Sequence, residues 1–317
     1  MCSLFGLIDY GNCLTAKQKE KIIRVLSVEC EVRGTDATGV AYVENGEVKI
    51  YKQPLPARKL KLKFKSNPKV IMGHTRMTTQ GDERFNQNNH PFYSKKLKFA
   101  LAHNGVIYND DVLRKSENLP KTNIETDTYI AVQLLEKETA LNFDSFKNMA
   151  EKVKGSFCFT VLNNENEVFF VKGNNPLAIY DFGGFYLYAS TDEILKKTLK
   201  KLRFKGSYEE VKLKFGDMIK IDCVGDIEKG QFEADDEEIY GFGYLRNYGY
   251  WECEKEDKWI DEYLEGIIDY AKVVGIDEGD IFRLLEMGFD VFDIEEMIYE
   301  PEEIERFLGR KEIVAIE

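Results

Sequence analysis

The chain has 317 residues, a formal net charge of −12 and 43% hydrophobic residues, which indicates a folded protein with one large domain and an appendage, or with two domains. No apolar run approaches the ~20 residues of a membrane span, and the N-terminus lacks the basic and long apolar regions of a secretory signal. We therefore expect a cytoplasmic protein without membrane contact. The six cysteines show no CxxC spacing and are expected to be reduced thiols.

Charge is distributed unevenly along the chain. Residues 226–317 contain 29 acidic and 9 basic side chains, whereas residues 1–225 contain 27 acidic and 35 basic ones. We expect residues 1–225 to form the main domain, 226–258 an acidic, Gly- and Tyr-rich linker or arm, and 259–317 a small helical module. The acidic C-terminal part disfavours nucleic-acid binding.

Residues 1–225 are predicted to alternate many short strands with a few helices. Predicted strands cover 4–8, 40–43, 48–51, 70–74, 98–103, 157–162, 167–171, 177–180, 185–189, 209–213 and 217–221. Predicted helices cover 15–31, 127–136, 143–152 and 191–200. This pattern favours an α+β domain with stacked sheets over a doubly wound parallel sheet.

Cys2 is the first candidate catalytic residue in the chain. Removal of Met1 would place a thiol and a free α-amine on the same residue, and an α-amine titrates near pH ~8. Such an amine can take up the thiol proton without help from a histidine. The alternative is a cysteine at position 2 with no chemical role, which Cys2 alone does not exclude.

Three further motifs follow predicted strands or open a predicted helix. Arg76 closes the segment 73–76 with a guanidinium suited to bidentate binding of a carboxylate. Asn104 offers an amide donor beside the accessible backbone N–H of Gly105, a pair that can form an oxyanion hole. Asp127 opens a helix, where it can cap the first turn or hold an ammonium group.

Each motif also has a structural explanation: a surface ion pair for Arg76, a turn for Asn104 and Gly105, a helix start for Asp127. Together with Cys2, however, they supply a nucleophile, an oxyanion hole, a cation for an α-carboxylate and an anion for an α-ammonium. This set suits hydrolysis of the side-chain amide of an amino acid, with glutamine as the expected ligand.

The three histidines, His74, His90 and His103, all lie within 30 residues of each other. No Asp, Glu or Cys spacing around them supports a metal site, so we expect neither a metal nor a cofactor. His74 and His103 directly adjoin the Arg76 and Asn104 motifs and are interpreted as supporting residues.

The chain resembles the class II glutamine amidotransferase domain, a member of the N-terminal-nucleophile hydrolases. The resemblance rests on six motifs that occur in the family's order within residues 1–220. These motifs are Cys2 to Gly6, Arg33 to Gly39, Gly73 to Gly81, Asn88 to Phe92, His103 to Asn109 and Glu125 to Thr128.

The resemblance implies a four-layer αββα sandwich and a role for each matching residue. Cys2 would be the nucleophile with its α-amine as proton shuttle, and Asn104 and Gly105 would stabilise the oxyanion. Substrate would be bound by Arg76 through its α-carboxylate, by Asp127 through its α-ammonium, and by a pocket that includes Thr79. The supporting residues would be Arg33, Asp36, Gly39, His74 and His103.

The chain also departs from the family pattern. Met77 stands where relatives often have an aromatic residue and Gln80 where many have histidine, which affects the lid loop. Nothing after residue 225 resembles an acceptor domain. We therefore expect a glutaminase that forms a γ-glutamyl thioester on Cys2 and delivers ammonia to a separate synthase, with the acidic C-terminal module as docking element.

Two alternatives to this function stay open at the level of sequence. The first is an N-terminal-cysteine amidase that acts on another amide substrate. The second is a protein of the same fold that binds glutamine, or a protein partner, without turnover.

Overall fold

The computed structural model describes residues 2–233 and 256–287, together with positions 289, 294, 295, 297, 298, 304, 305, 307 and 308. The chain divides into two compact units, Met1–Ala234 and Asp235–Glu317. Most of the predicted linker at 226–258 lies outside the described residues.

The first unit contains two antiparallel sheets. The strands are β1 (Ser3–Ile8), β2 (Ala37–Glu44), β3 (Glu47–Gln53), β4 (Val70–Arg76), β5 (Phe92–Ser94), β6 (Phe99–Ile107), β7 (Gly155–Asn163), β8 (Val168–Lys172), β9 (Ala178–Asp181), β10 (Tyr186–Ala189), β11 (Glu209–Glu210), β12 (Asp217–Ile221) and β13 (Ile227–Gln231). One sheet has seven strands in the order β11-β9-β10-β1-β4-β2-β3, and the other has six in the order β13-β12-β8-β7-β6-β5.

Helices cover the outer face of each sheet. The helices of this unit are α1 (Ala16–Glu29), α2 (Asp110–Ser116), α3 (Tyr129–Lys137), α4 (Phe143–Ala150) and α5 (Asp192–Leu202). Helices α1 and α5 pack on the seven-stranded sheet, where Phe5 and Leu7 meet Ile23 and Leu195. Helices α3 and α4 pack on the six-stranded sheet.

A third apolar layer lies between the two sheets. Leu4 and Met72 of the seven-stranded sheet share this core with Ala100 and Phe170 of the six-stranded sheet. Successive residues of a strand point to opposite faces, so Leu4 enters the inter-sheet core while Phe5 enters the helix-covered one. The layers therefore follow the order helix, sheet, sheet, helix, which confirms the predicted αββα sandwich.

Several boundaries differ from the sequence-based ones. The structure adds β5, α2 and β13, and the strand predicted at 209–213 is reduced to Glu209–Glu210. The helix predicted from Asp127 begins at Tyr129. Strand β13 pairs with β12 and lies beyond residue 225, at which the sequence placed the end of the first domain.

The second unit contains helices α6 (Glu256–Val273) and α7 (Glu278–Glu286). The side chains of Ile268, Ala271, Ile281 and Leu284 form its apolar core with residues such as Ile298. No helix in the described part of either unit is long and apolar enough to cross a membrane.

Candidate active site

The start of β1 lies beside the end of β4. Ser3 pairs with Thr75 in this antiparallel register, so Cys2 and Arg76 occupy the next position, at the same end of these two central strands. The Cys2 Sγ atom is 3.5 Å from the carbonyl oxygen of Met77, to which it donates. Burial raises the pKa of the Cys2 thiol, and the nearby Arg76 guanidinium opposes that rise. The thiol therefore holds its proton until a base removes it.

Arg33 joins the two sheets at this end of the strands. Its Nε donates to the Cys2 carbonyl at 2.8 Å, and its Nη2 lies 3.5 Å from Oδ1 of Asn104. Arg33 is 3% exposed, so its guanidinium forms a buried bridge between the start of β1 and the middle of β6. This bridge brings the candidate nucleophile and the candidate oxyanion donor to one site.

Asn104 has a buried amide group with an unused donor. The residue is 1% exposed, and its Nδ2 has no hydrogen-bond partner among the described residues. Its backbone carbonyl, by contrast, accepts a 2.8 Å bond from the Asn175 side chain. A buried N–H group without a partner costs about 1–3 kcal/mol, so the position of Nδ2 requires an explanation.

Gly105 follows with a backbone that favours glycine. Its φ is +138°, and a Cβ atom built there would lie 2.0 Å from the carbonyl oxygen of Ser156. Any larger residue would displace β7 or turn the chain away from the site.

Arg76 enters the site with three of its N–H groups engaged. Its Nη1 donates to Asn89 Oδ1 at 2.7 Å, and its Nη2 donates to the carbonyls of Gln80 at 2.5 Å and Gly81 at 2.7 Å. A guanidinium binds a carboxylate bidentately either through Nε and Nη2 or through Nη1 and Nη2, so both modes need Nη2. The predicted bidentate binding therefore requires these two carbonyls to turn away from Arg76.

Asp127 lies near the end of β6 rather than in the first turn of a helix. Its Oδ2 accepts a 2.7 Å bond from the backbone N–H of Ile107, and the residue is 4% exposed. Burial raises the pKa of the Asp127 carboxyl, and the hydrogen bond from Ile107 lowers it. A buried carboxylate of this kind favours a cationic ligand.

The three histidines form a buried cluster behind these residues. The rings of His74 and His90 stack with centroids 4.1 Å apart, and His90 Nε2 and His103 Nδ1 lie 3.1 and 2.8 Å from Thr128 Oγ1. His103 Nε2 faces the Ser156 carbonyl, an acceptor, so this nitrogen carries the proton and Nδ1 accepts from Thr128. His90 Nε2 then donates to Thr128.

Burial lowers the pKa of all three imidazoles, that of His103 to about 3. The cluster is therefore neutral and positions neighbouring backbone, as when His74 Nε2 donates to the carbonyl of His103 at 3.0 Å. Within the described residues, no group of His, Cys, Asp or Glu side chains could hold a metal ion.

The remaining predicted support residues lie on the loop and strand that follow Arg33. Asp36 Oδ2 accepts a 2.7 Å bond from the backbone N–H of Thr78, and its own N–H donates to the Arg76 carbonyl. At Gly39, an added Cβ would lie 2.1 Å from the His90 carbonyl oxygen. Asp36 thus holds the backbone of Arg76 and Thr78, whereas Gly39 allows the close approach of the His90 backbone.

Thr79 is the predicted site residue with the fewest contacts. It is exposed, and it makes no hydrogen bond within the described part of the chain. Its neighbour Gln80 is also exposed, although the Gln80 carbonyl accepts from Arg76. The structure places Thr79 beside the site without engaging its hydroxyl.

Two asparagines in the site were given no role from sequence. Asn89 is fully buried and orients Arg76, while Asn175 holds the backbone of Asn104. Asn89 stands two residues before Pro91, and Asn175 stands directly before Pro176. Clustered Asn and Pro are also typical of turns, so the residue types alone could not distinguish support from chain reversal.

Comparison of sequences identifies relatives of the first unit. The profile of a family described as glutamine amidotransferase domain matches residues 74–197. Glutamine–fructose-6-phosphate aminotransferase (isomerizing) of Staphylococcus epidermidis is 30% identical over 221 residues, which cover 67% of this chain and 34% of that protein. The enzyme of the same name from Staphylococcus aureus has the same identity and coverage. The chain thus spans about a third of the length of these relatives.

Solved structures share the fold. The glutamine phosphoribosylpyrophosphate amidotransferase of B. subtilis, complexed with ADP and GMP, has a TM-score of 0.59 and 20% identity, covering 73% of this chain and 49% of that one. A structure described as the allosteric regulatory enzyme of purine biosynthesis has a TM-score of 0.60 and 19% identity with the same coverage.

Proposed function

The chain belongs to the class II glutamine amidotransferases, and on this premise we propose that it hydrolyses glutamine through a thioester on Cys2 and passes the ammonia to a separate acceptor protein. Glutamine hydrolysis as an ammonia source is the activity common to this family. The assignment of Cys2, the other site residues and the transfer in trans are parts of the proposal.

The observation that supports it best is the unpaired Nδ2 of Asn104. This donor is buried, lies on the same Arg33 bridge as Cys2, and finds no acceptor in the described chain. A tetrahedral intermediate formed on Cys2 would supply an oxyanion as the acceptor, with the Gly105 N–H as second donor. Donors fixed before the reaction need no reorganisation when charge develops.

In the first half-reaction, the α-amine of Cys2, freed by removal of Met1, accepts the thiol proton. The thiolate attacks the side-chain amide carbon of glutamine, and the carbonyl oxygen becomes the oxyanion held by Asn104 and Gly105. The intermediate collapses, the C–N bond breaks, and the ammonium group of Cys2 returns its proton to the leaving nitrogen. Ammonia and a γ-glutamyl thioester result.

In the second half-reaction, water attacks the thioester carbon while the α-amine takes a proton from it. The same two donors stabilise the second oxyanion. The C–S bond then breaks, and glutamate leaves as the thiol of Cys2 is regenerated. No electrons are exchanged with a cofactor in either half-reaction.

The amino-acid headgroup would be recognised by Arg76 and Asp127. Arg76 would take the α-carboxylate once the carbonyls of Gln80 and Gly81 have turned away, and Asp127 would take the α-ammonium. Thr79 would join the pocket after the same movement. Two opposite charges favour a free amino acid over an amide that lacks these groups.

Delivery of ammonia would use the C-terminal part. We propose that residues 1–234, which include strand β13, form the amidotransferase domain, and that residues 259–317 form a module that docks an acceptor synthase. The strong excess of acidic side chains in residues 226–317 supports a partner with a basic surface.

The test compares C2A with C13A in the full chain. Cys13 is an exposed cysteine and makes a matched control. We expect C2A to lower glutamine hydrolysis by at least about 10³-fold, because the proposed thioester forms on the Cys2 thiol. C13A should keep the wild-type rate, and ammonia and glutamate release are the measured products.

Intact-mass measurement accompanies this test. We expect the loss of one methionine and, on mixing with glutamine, a transient mass increase of one glutamyl group that C2A lacks. Retained hydrolysis by C2A, or a protein that keeps Met1 and is still active, would contradict the proposed mechanism.

A further inference from the structure

A cavity of about 330 Å³ opens between helix α1 and the segment 57–63. Its floor is apolar and is formed by Ile23, Val40, Ala57, Leu60 and Leu62. None of these residues belongs to the glutamine site described above. An open apolar cavity of this size accommodates one or two aliphatic side chains of a ligand.

Four basic side chains surround this floor. Lys17, Lys21 and Arg24 lie at spacings of four and three residues on one side of α1, and Lys63 lies on the facing segment. All four are exposed, and none has an ion-pair partner among the residues described for the first unit. The rim therefore carries positive charge that the described residues of the first unit do not neutralise.

Among the described residues, Glu20 is the one carboxylate that lines the cavity. It accepts a 2.8 Å bond from the backbone N–H of Phe64 and so connects α1 to the second wall of the cavity, the segment 57–63. The second wall continues the basic character with Lys59, Lys61 and Lys65, which are also exposed. The cavity thus lies between two elements that the Glu20 bond connects, and the other charged side chains in its lining are basic.

The spacing of the cations favours an extended ligand over a compact anion. Lys17 and Arg24 are seven residues apart, or about 10 Å along the helix. A phosphate is usually held by clustered backbone N–H groups at a helix start or glycine-rich loop, and the cavity lining has no glycine. Carboxylates spaced along a peptide helix match this distribution better.

We propose that this cavity is the docking site for an acidic amphipathic helix of a protein partner. Leucine-like side chains of the partner would enter the apolar floor, and carboxylates on the flanking turns would pair with Lys17, Lys21, Arg24 and Lys63. Such binding combines a helix in an apolar groove with charge complementarity at the rim. The proposal is independent of the chemistry assigned to Cys2.

The test measures binding of a defined probe to the full chain by fluorescence anisotropy. The probe is a labelled helical peptide of about 18 residues, long enough to hold a helix, with a leucine stripe flanked by glutamates. We expect the variant K21E/R24E to weaken binding at least tenfold. The control K95E/K115E changes the net charge equally at exposed lysines elsewhere and should change binding less than threefold.

A second variant, L60Q, tests the apolar floor without changing charge and should weaken binding severalfold. A control peptide with glutamine in place of glutamate should bind at least tenfold more weakly. Equal losses in K21E/R24E and K95E/K115E, or no measurable binding of the probe, would overturn the proposal. Competition by inorganic pyrophosphate as strong as by unlabelled probe would overturn it in favour of a small-anion site. Self-association abolished by K21E/R24E would identify a second copy as the occupant instead.

Discussion

The two ends of strand β1 bury polar groups in opposite ways. Beyond its C-terminal end, Asp9 and Lys19 form an ion pair at 2.8 Å in which both side chains are 0% exposed. Asp9 also accepts from the backbone of Cys13 and Leu14, and Lys19 donates to the Pro68 carbonyl at 2.8 Å. Both charged groups of this pair therefore have their partners within the described residues.

At the N-terminal end, next to Cys2, buried polar groups are left incomplete. Asn104 Nδ2 has no partner within the described residues, and burial raises the pKa values of Cys2 and Asp127. One end of β1 thus lies beside a buried polar centre that the fold completes, and the other end lies beside one that a ligand would complete. Satisfied groups hold a fold together, whereas incomplete ones indicate binding or catalysis.

The largest expected effect is on stability, at the completed end. K19M removes the cation and leaves the Asp9 carboxylate buried without its charge partner, which should lower the free energy of unfolding by about 3–5 kcal/mol. Urea denaturation followed by circular dichroism measures this loss. Glutaminase activity per folded molecule should be unchanged.

The double variant D9N/K19M is the control for that effect. Asn at position 9 keeps an oxygen for the backbone of Cys13 and removes the unpaired charge, so part of the lost stability should return. A double variant less stable than K19M would show that the Asp9 carboxylate stabilises the fold through its bonds to the backbone of Cys13 and Leu14 even without Lys19, and would contradict the explanation by an unpaired charge.

The next effect is on catalysis, at the incomplete end. N104A should lower kcat for glutamine hydrolysis by about 10²–10³-fold, the usual loss for one oxyanion donor. Its stability should change by less than about 1 kcal/mol, since Nδ2 has no partner within the described chain and the Oδ1 contact with Arg33 is long, at 3.5 Å.

The matched control is N163A. The Asn163 side chain bonds to Glu167 and to the backbone of Glu165 in the turn after β7, so its loss should reduce stability and leave kcat unchanged. If N104A instead lost stability and kept kcat, the assignment of Asn104 to the oxyanion hole would be wrong.

Much of the fold could be predicted from apolar runs. Leu4 to Ile8 was a predicted strand because a strand covered on both faces is apolar throughout, and the structure places its residues alternately in two cores. The short strand β5 and helix α2 escaped prediction because three to seven residues give too little periodicity.

Less of the candidate site than of the fold could be predicted from the sequence. The order of motifs indicated which residues to consider, and the structure brings Cys2, Arg33 and Asn104 together. The sequence motifs could not reveal that Asp127 receives its hydrogen bond from Ile107, or that Asn89 orients Arg76, since both contacts depend on tertiary packing. The capping alternative for Asp127 fails because α3 begins two residues later.

The smallest of these effects concerns the histidine cluster and pH. Burial keeps His74, His90 and His103 neutral, so their pKa values in the native state lie below the unfolded value of about 6.5. The unfolded state then binds more protons as the pH falls below about 6.5, and stability must decrease. Between about pH 7.5 and pH 5.5 each neutral histidine accounts for about 1.4 kcal/mol of that decrease.

Comparison of H90Q with the wild type isolates one histidine. Glutamine keeps a donor for Thr128 but has no imidazole to titrate, so the loss of stability across this pH range should be smaller than in the wild type by about 1.4 kcal/mol. Asp127 acts in the opposite sense, because its raised pKa favours the native state as the pH falls, and it is present in both proteins. The difference between the two urea titrations therefore reports His90. Equal pH dependence would mean that His90 takes up a proton in the native state as readily as in the unfolded state, and the neutral hydrogen-bond network through Thr128 would have to be reassigned.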